Sequence, residues 1–309
     1  MKGDVFMNKK LIRTVALAAS ALALVCTAAL AKGDVWGKGS AGVEMKAGEF
    51  KLLLAQDLFK GSRLDGYRAA WNRVVEVAAG LGWKAETEDD LIKGTPDENP
   101  RVYSYPDTAD GVFHAKYYTL RQRIPVKKTG ELNTEKADLT LKYSAKDGKP
   151  IPVEEFLKGL PEGTKAKAEV NVYGYVDKEA GKDQEHATMQ VTFKKQPVMT
   201  GTETVAWFAQ KYPVIRTLGI PAETVVSMPT SKYIISYATN VGKLKRGDAE
   251  LEVESCVWFN KDTGEFVCAE VSWRAEAKDA DASYELFDAV QRQAPEILDA
   301  GKSKNACIK

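Results

Sequence analysis

The sequence predicts an α+β fold dominated by antiparallel β-sheet. Segments in which polar and apolar residues alternate recur along the chain and indicate roughly nine or ten strands. Amphipathic helical segments lie between and after these strands. No repeat with a fixed period is present in the 309 residues, so the length suits one large domain, or one domain with an insertion.

The strands are predicted from their alternating polarity and from the turn residues that separate them. A polar connection over residues 86–100 separates the first helix from the second strand. The predicted strands cover residues 49–55, 101–107, 116–124, 137–145, 165–176, 187–195, 223–228, 232–239, 249–259 and 265–276.

The helices are predicted from apolar residues at a spacing of three and four. In the first of them, Tyr67, Trp71, Val74 and Ala78 share one face. Pro213 must bend or interrupt the third helix, because proline cannot donate a helical hydrogen bond. The predicted helices cover residues 64–82, 153–160, 202–219 and 281–293.

The N-terminal residues 7–31 have the layout of a secretory signal peptide. Lys9, Lys10 and Arg13 form a basic start, an apolar stretch follows, and small residues end it at Ala31. The apolar stretch is short for a membrane span. We therefore expect cleavage after Ala31 and a protein that is exported, either periplasmic or secreted, with no membrane attachment afterwards.

The charge balance argues against a general nucleic-acid binder. The chain has 44 basic and 43 acidic residues, whereas proteins that bind nucleic acid by charge carry a basic excess. Any anion site must therefore be a local concentration of charge. His114 and His186 are the only histidines, and no cysteine or histidine spacing suggests zinc.

Three cysteines remain after removal of the signal peptide: Cys256, Cys268 and Cys307. Export permits disulfides, but an odd count leaves one thiol unpaired within the chain. Cys256 and Cys268 flank a turn and fall on adjacent strands. Whether the two side chains face each other depends on the strand register, so the sequence leaves this pairing open.

Polar residues two apart along a strand share one face of the sheet. Arg121 and Arg123 share a face in this way, and Thr140 and Lys142 share another. Such stripes are typical of the solvent side of an ordinary sheet. They also fit strands that turn their polar faces inward around a charged channel, with helices covering the apolar faces. Composition does not decide between these two interpretations.

Residues 107–123, DTADGVFHAKYYTLRQR, resemble the hallmark of the CYTH superfamily, the triphosphate tunnel fold. That hallmark has an Asp-Thr-x-Asp turn, here Asp107, Thr108 and Asp110, followed by a Leu-Arg-x-Arg strand. The family's next strand often reads Leu-Thr-Leu-Lys, as residues 139–142 do here. Weaker likenesses follow in the same order along the chain, up to about residue 292.

The resemblance implies an eight-stranded antiparallel barrel, open at both ends and flanked by helices. Its basic inner wall would hold a triphosphate or polyphosphate, and its carboxylates would hold Mg²⁺ or Mn²⁺. The phosphate contacts implied are Arg121, Arg123, Lys142, Lys51 and Lys232. The metal ligands implied are Glu49, Glu270 and Glu169.

Two departures from the family pattern weaken the expected metal site. Ala47 and Ser272 stand where the family has glutamates, and a hydroxyl is a poor substitute for a carboxylate as a ligand of a hard cation. The basic wall is better preserved than the acidic one. We therefore expect tighter retention of anions than of metal.

The resemblance also sets the expected domain layout. A flexible arm at 32–46 precedes a CYTH-like domain at 47–292, and a tail at 293–309 follows it. Residues 149–200 exceed the family core and form an insertion or an extended hairpin.

Three functions remain open from the sequence. The first is an exported protein that binds a phosphate-rich small molecule or polyphosphate without catalysis. The second is a metal-dependent triphosphatase or polyphosphatase. The third is a β-rich exported protein that binds a peptide or surface ligand and shares only the architecture.

Overall fold

A computed structural model describes residues 45–145, 151–162, 164–177, 182–228 and 233–299. The predicted signal peptide, nearly all of the predicted arm, Lys232, Cys307 and most of the predicted tail lie outside these residues. The strands are Ala47–Leu54 (β1), Lys84–Thr87 (β2), Arg101–Ser104 (β3), Asp107–Thr108 (β4), Tyr118–Pro125 (β5), Asp138–Ala145 (β6), Ala166–Asp177 (β7), Lys182–Phe193 (β8), Val226–Ser227 (β9), Ile234–Arg246 (β10), Ala249–Asn260 (β11) and Phe266–Glu276 (β12).

The helices are Arg63–Gly80 (α1), Asp89–Lys93 (α2), Val112–Ala115 (α3), Val153–Leu157 (α4), Val205–Lys211 (α5) and Ala280–Gln293 (α6). Ser62 caps α1, since its side chain accepts a hydrogen bond from the backbone N–H of Asp65. Within the described part of the chain, no helix combines the length and the apolar character that crossing a membrane requires.

Nine strands close into a barrel in the order β10, β11, β12, β1, β7, β8, β6, β5 and β3, which pairs again with β10. The helix-flanked barrel predicted from the sequence is confirmed, with nine strands in place of eight. One pairing, between β1 and β7, is parallel, so the barrel is not wholly antiparallel. The parallel pairing arises because a long connection separates β6 from β7, and β7 then runs beside β1 in the same direction.

The apolar faces of the barrel strands point outward and pack against helices. In β1, Phe50 contacts Tyr284 and Phe287 of α6, with ring centroids 5.0 and 5.5 Å apart. Leu52 and Leu54 share this face and are buried with it. Burial of these side chains away from water holds the helices to the barrel, and it leaves the intervening residues of β1 facing the interior.

Several elements differ from the sequence prediction in extent. Residues 86–100, predicted as a polar loop, contain the end of β2 and all of α2. β10 continues to Arg246, beyond its predicted end at residue 239, because a bulge between Asn240 and Gly242 lets the strand bend and pair with β2. Pro213 interrupts the predicted helix at 202–219 as expected, and a 3₁₀ segment, Pro213–Leu218, follows α5.

The segment at 149–200 contributes to the barrel wall. It contains α4 and the hairpin of β7 and β8, which pair with each other in antiparallel register. β7 also pairs with β1 and β8 with β6. These two strands therefore complete the barrel between β1 and β6.

Candidate functional site in the barrel interior

The polar stripes of the strands line the inside of the barrel. Strand register places Arg121 beside Thr140, Thr140 beside Thr192, and Glu49 beside Arg274. These neighbours share one face of the sheet, opposite the face that packs on the helices. Of the two interpretations that the sequence left open, the structure supports the charged interior.

Lys51 and Glu49 neutralise each other on the inner face of β1. Lys51 Nζ lies 2.7 Å from Glu49 Oε2, and it donates a hydrogen bond of 2.6 Å to Asn171 Oδ1. Burial raises the pKa of Glu49, but the ion pair with Lys51, with the nearby charges of Lys142 and Arg274, outweighs burial and lowers that pKa to about 2. Glu49 is therefore ionised at every physiological pH.

Arg121 and Lys142 lie diagonally across β5 and β6, since Arg121 pairs with Thr140 and Thr119 pairs with Lys142. The Arg121 Nε is buried and makes no hydrogen bond. Neither side chain forms a hydrogen bond or a salt bridge with any residue that the structure describes. Burial and repulsion by Lys51 lower the pKa of Lys142 to about 7. The inner wall thus carries two cationic groups that no described residue engages by a hydrogen bond or a salt bridge, although Glu49 and Glu169 lie near enough to Lys142 to act on its charge.

Glu169 is buried on the inner face of β7 and is already matched by cations. It forms salt bridges with Lys167 and with Arg274, whose Nη2 lies 3.3 Å from Glu169 Oε2. Burial raises the pKa of Glu169, and the charges of Lys142 and Lys167 outweigh it, so the pKa lies below its ordinary value. The carboxylate therefore belongs to an ion-pair network.

Arg123 is held by an acidic partner that the sequence analysis did not identify. Its Nε and Nη2 donate to Asp138 Oδ2 at 3.2 and 2.7 Å. Lys194 Nζ donates to the same oxygen at 2.9 Å. The contact between Arg123 and Asp138 follows from the strand register, because the two residues are direct partners across β5 and β6. Arg123 is therefore compensated within the protein, unlike Arg121.

The predicted metal ligands do not come together as a metal site. Glu270 lies on the inner face of β12, buried beside Cys256 in register, while Glu49 and Glu169 are engaged by lysine and arginine. Within the described ranges, no group of three histidine, cysteine, aspartate or glutamate residues is arranged to hold a metal ion. The residues present do not fit Mg²⁺ or Mn²⁺, which prefer several oxygen ligands free of competing cations.

A cavity of about 120 Å³ lies at one end of the interior. Glu252 and Glu254 of β11 line this cavity, although neither is among the site residues predicted from the sequence. The alternating polarity of β11 could have indicated this position, because residues two apart along a strand share one face of the sheet. The side chains around the cavity are those of Glu49, Asn240, Glu252, Glu254, Ser272, Trp273 and Arg274.

The Asp-Thr turn of the hallmark has a structural role. Asp107 Oδ1 accepts hydrogen bonds from the backbone N–H groups of Thr108 and Phe113 at 2.7 and 3.0 Å, and Oδ2 accepts one from His114 at 3.0 Å. Thr108 Oγ1 accepts one from the Val112 N–H. These bonds build the short helix α3 that leads into β5, and so they position the strand that carries Arg121.

Cys256 and Cys268 are both buried. Cys256 pairs in register with Glu270, and Cys268 pairs with Trp258. The two thiols therefore share the inward face as diagonal neighbours and are not directly opposite. This register answers the question that the sequence left open.

Comparison with known proteins gives structural similarity only. No family model matches the sequence, and no curated protein matches it. A candidate adenylyl cyclase from Hippeastrum, described as having a dominant triphosphatase activity, has a TM-score of 0.43 at 11% identity, covering 85% of this chain and 95% of that one. A candidate adenylate cyclase from Bacillus halodurans has a TM-score of 0.35 at 11% identity, with coverages of 84% and 97%. A protein from Pyrococcus horikoshii has a TM-score of 0.32 at 11% identity, with coverages of 84% and 96%.

The fold is CYTH-like. This follows from the chain's own architecture, a closed barrel flanked by helices, with the Leu-Arg-x-Arg and Leu-Thr-Leu-Lys motifs on the adjacent strands β5 and β6. The fold is compatible with phosphate binding and assigns no activity by itself.

Proposed function

We propose that the protein binds a phosphate-bearing anion inside its barrel and does not hydrolyse it with the help of a metal. The observation that carries this proposal is the pair of inner-wall cations, Arg121 and Lys142, which make no hydrogen bond or salt bridge with the residues that the structure describes. A cationic group held away from water without a partner is destabilising. An anion that binds in the barrel interior, beside β5 and β6, removes this cost. The arrangement therefore favours an anionic ligand.

The chemistry of these two side chains suits a phosphate group. A guanidinium group donates two parallel hydrogen bonds to phosphate oxygens, and an ammonium group adds a compact charge. Thr140 and Thr192 lie beside Arg121 and share a hydrogen bond of 2.8 Å between their Oγ1 atoms, which leaves one hydroxyl of the pair as a further donor. The ligand class is a small phosphate-rich molecule or a short polyphosphate.

The hydrolase alternative is less well supported by the site. Metal-assisted hydrolysis needs a cation that bridges the phosphate and the protein carboxylates. Glu49 and Glu169, which the resemblance assigns to the metal, are occupied by Lys51, Lys167 and Arg274. A metal ion at either carboxylate would have to displace these partners.

Export to the periplasm or to the medium remains part of the proposal. It is motivated by the basic, then apolar, then small-residue order of residues 7–31. N-terminal sequencing of the protein recovered from outside the cytoplasm tests it. A start at residue 32 supports export, and an intact N-terminus on a cytoplasmic protein contradicts it.

Calorimetric titration of the purified protein with tripolyphosphate tests binding, and release of inorganic phosphate with Mg²⁺ or Mn²⁺ tests catalysis in the same samples. We expect saturable binding without turnover, weakened about tenfold or more in Arg121→Gln, because a charge-assisted hydrogen bond is lost. Arg216→Gln is the matched control, since Arg216 is exposed on the 3₁₀ segment outside the barrel.

Two outcomes separate the alternatives. Phosphate release that disappears in Arg121→Gln but not in Arg216→Gln establishes a hydrolase. Absence of binding and of turnover, or binding equally unaffected by both substitutions, rejects the interior anion site.

A further inference from the structure

Two adjacent strands bring an amine, an amide and a carboxylate into contact in the barrel interior. Lys51 Nζ lies 2.6 Å from Asn171 Oδ1 and 2.7 Å from Glu49 Oε2. Glu49 and Lys51 share the inner face of β1, and Asn171 is the direct partner of Glu49 on β7, the parallel neighbour of β1. The strand register therefore places the three side chains on one face of the sheet. We call Lys51, Asn171 and Glu49 the amide triad.

The amide group of Asn171 is held in one orientation and away from water. Asn171 is 0% exposed. Its Nδ2 donates a hydrogen bond of 2.9 Å to Thr188 Oγ1, and that hydroxyl donates to the backbone oxygen of Glu169 at 3.1 Å. Lys51 thus contacts the oxygen of the amide, while Thr188 holds the nitrogen of the amide on its other side.

These groups meet the requirements for transfer of an acyl group from an amide to an amine. A lysine amine is a nucleophile only after it loses a proton, and a general base within hydrogen-bond reach can take that proton. Glu49 is within this reach of Lys51, and its lowered pKa keeps the carboxylate ionised. The contact between the amine and the amide supplies proximity, and burial excludes water from the reacting groups.

We propose that Lys51 and Asn171 become joined by an isopeptide bond, which the folded protein forms by itself. After Glu49 removes a proton, Lys51 Nζ attacks Cγ of Asn171, and the bond between Cγ and Nδ2 breaks. The ammonium group of Lys51 gives up two protons in all, and Glu49 passes both to the departing nitrogen. The balanced products are one isopeptide bond and one ammonium ion, so the reaction needs no oxidant, reductant or cofactor.

The bond would reinforce a short pairing between strands that are distant in sequence. Lys51 and Asn171 are 120 residues apart, and the register between β1 and β7 covers only Gly48 to Lys51 and Val170 to Tyr173. A cross-link that closes a long loop also lowers the conformational entropy of the unfolded chain. This inference is independent of the proposed function, because the bond involves neither Arg121 nor Lys142, and either proposal can fail alone.

Mass spectrometry of the intact protein under denaturing conditions tests the bond, because only a covalent change persists there. We expect the wild type to weigh one ammonia less than its sequence, and tryptic digestion to give a branched peptide that joins the segments around Lys51 and Asn171. Lys51→Arg keeps a cation beside Glu49 but has no amine that could attack, so this variant should have its full sequence mass. A wild type that keeps its full mass after prolonged incubation of the folded protein overturns the proposal.

Two further variants separate this bond from loss of ammonia elsewhere. Lys243→Arg is the matched control, because Lys243 also pairs with carboxylates, those of Glu250 and Glu252 at 3.2 and 3.3 Å, and no asparagine amide of the described residues bonds to it. This variant should keep the deficit of one ammonia. In Glu49→Gln the base is absent, and we expect the bond to form about a hundredfold more slowly in freshly purified protein.

Two results would contradict these expectations. A deficit that persists in Lys51→Arg places the loss of ammonia elsewhere and overturns the isopeptide bond. Formation of the bond at the wild-type rate in Glu49→Gln overturns the role of Glu49 as the base.

Discussion

Lys51 and Glu49 form an ion pair of 2.7 Å on the inner face of β1, two residues apart along the strand. The resemblance assigned one of them to phosphate and the other to metal. In the structure each satisfies the other, and Asn171 takes a further hydrogen bond from the lysine. Neither residue is therefore free for the ligand that the resemblance assigns to it. The cations of the inner wall that no salt bridge engages are Arg121 and Lys142.

Glu49→Gln separates an ion-pair role from a metal-ligand role. Removing the carboxylate frees the charge of Lys51, so we expect anion affinity to rise about fivefold, as one added charge near the site predicts. Stability at pH 7 should fall by about 2 kcal/mol, because the lowered pKa of Glu49 stabilises the fold above its ordinary value of 4.5. Urea unfolding and calorimetry measure the two effects.

The stability difference between Glu49→Gln and the wild type has a defined pH dependence. The folded pKa of Glu49 is about 2, so the advantage of the wild type should shrink as the pH falls from about 4.5 toward 2.

Weaker anion binding in the variant, together with loss of a metal requirement, would instead identify Glu49 as a metal ligand.

Lys142→Met should stabilise the protein near neutral pH. The folded pKa of Lys142 is about 7, below the ordinary value of 10.5, so the unfolded chain binds more protons between these two values and stability rises with pH across this window. The cost to the wild type is complete at and below about pH 7. We expect the variant to be more stable by about 2 kcal/mol at pH 6.5, with the difference nearly gone at pH 10.

Urea unfolding of both proteins at pH 6.5, 8 and 10 measures this effect. Lys84→Met, which changes an exposed lysine of β2, is the matched control and should shift stability by less than about 0.5 kcal/mol. If the Lys142 variant and the wild type had equal free energies of unfolding at all three pH values, burial of this lysine would not destabilise the folded protein.

Asp107→Ala tests whether the first residue of the Asp-Thr turn is structural. The change removes three hydrogen bonds to backbone N–H groups, and we expect a loss of about 2–3 kcal/mol in the free energy of unfolding. Asp110→Ala, an exposed change in the same turn, should be nearly neutral. Anion affinity of the folded Asp107 variant should stay unchanged, and a selective loss of affinity at full stability would place Asp107 in the binding site.

Gly242→Ala tests the bulge that bends β10. A methyl group there would overlap the Trp71 ring and the carbonyl oxygen of Glu86, so we expect a destabilisation of about 2–3 kcal/mol. Gly80→Ala at the end of α1 meets no atom within 4 Å and should be neutral or stabilising by up to about 1 kcal/mol. Thermal unfolding compares them, and equal melting temperatures would contradict the close contact.

The sequence predicted those features that depend on local patterns. Alternation located the barrel strands, and the spacing of Tyr67, Trp71 and Val74 located α1. The hallmark around Arg121 indicated the fold. These signals arise within one strand, one helix or one turn.

Features that depend on pairing between distant strands could not be predicted. The bond between Lys51 and Asn171 joins residues 120 apart in the chain, and Asp138 compensates Arg123 only in the register that β5 and β6 adopt. The parallel neighbour of β1 likewise follows from the order of the strands. Because register and strand order decide which charges remain unpaired, the sequence identified a basic wall but did not single out Arg121 and Lys142 within it.

The position of β1 has a consequence for biosynthesis. β1 is the first barrel strand to leave the ribosome, yet its two neighbours are β7 and the last strand, β12. No nascent chain that ends before β12 can close the barrel, and contacts of such high sequence separation form slowly. Folding is therefore completed only after translation of the barrel ends, which leaves a long interval in which chaperones can act on the open polypeptide.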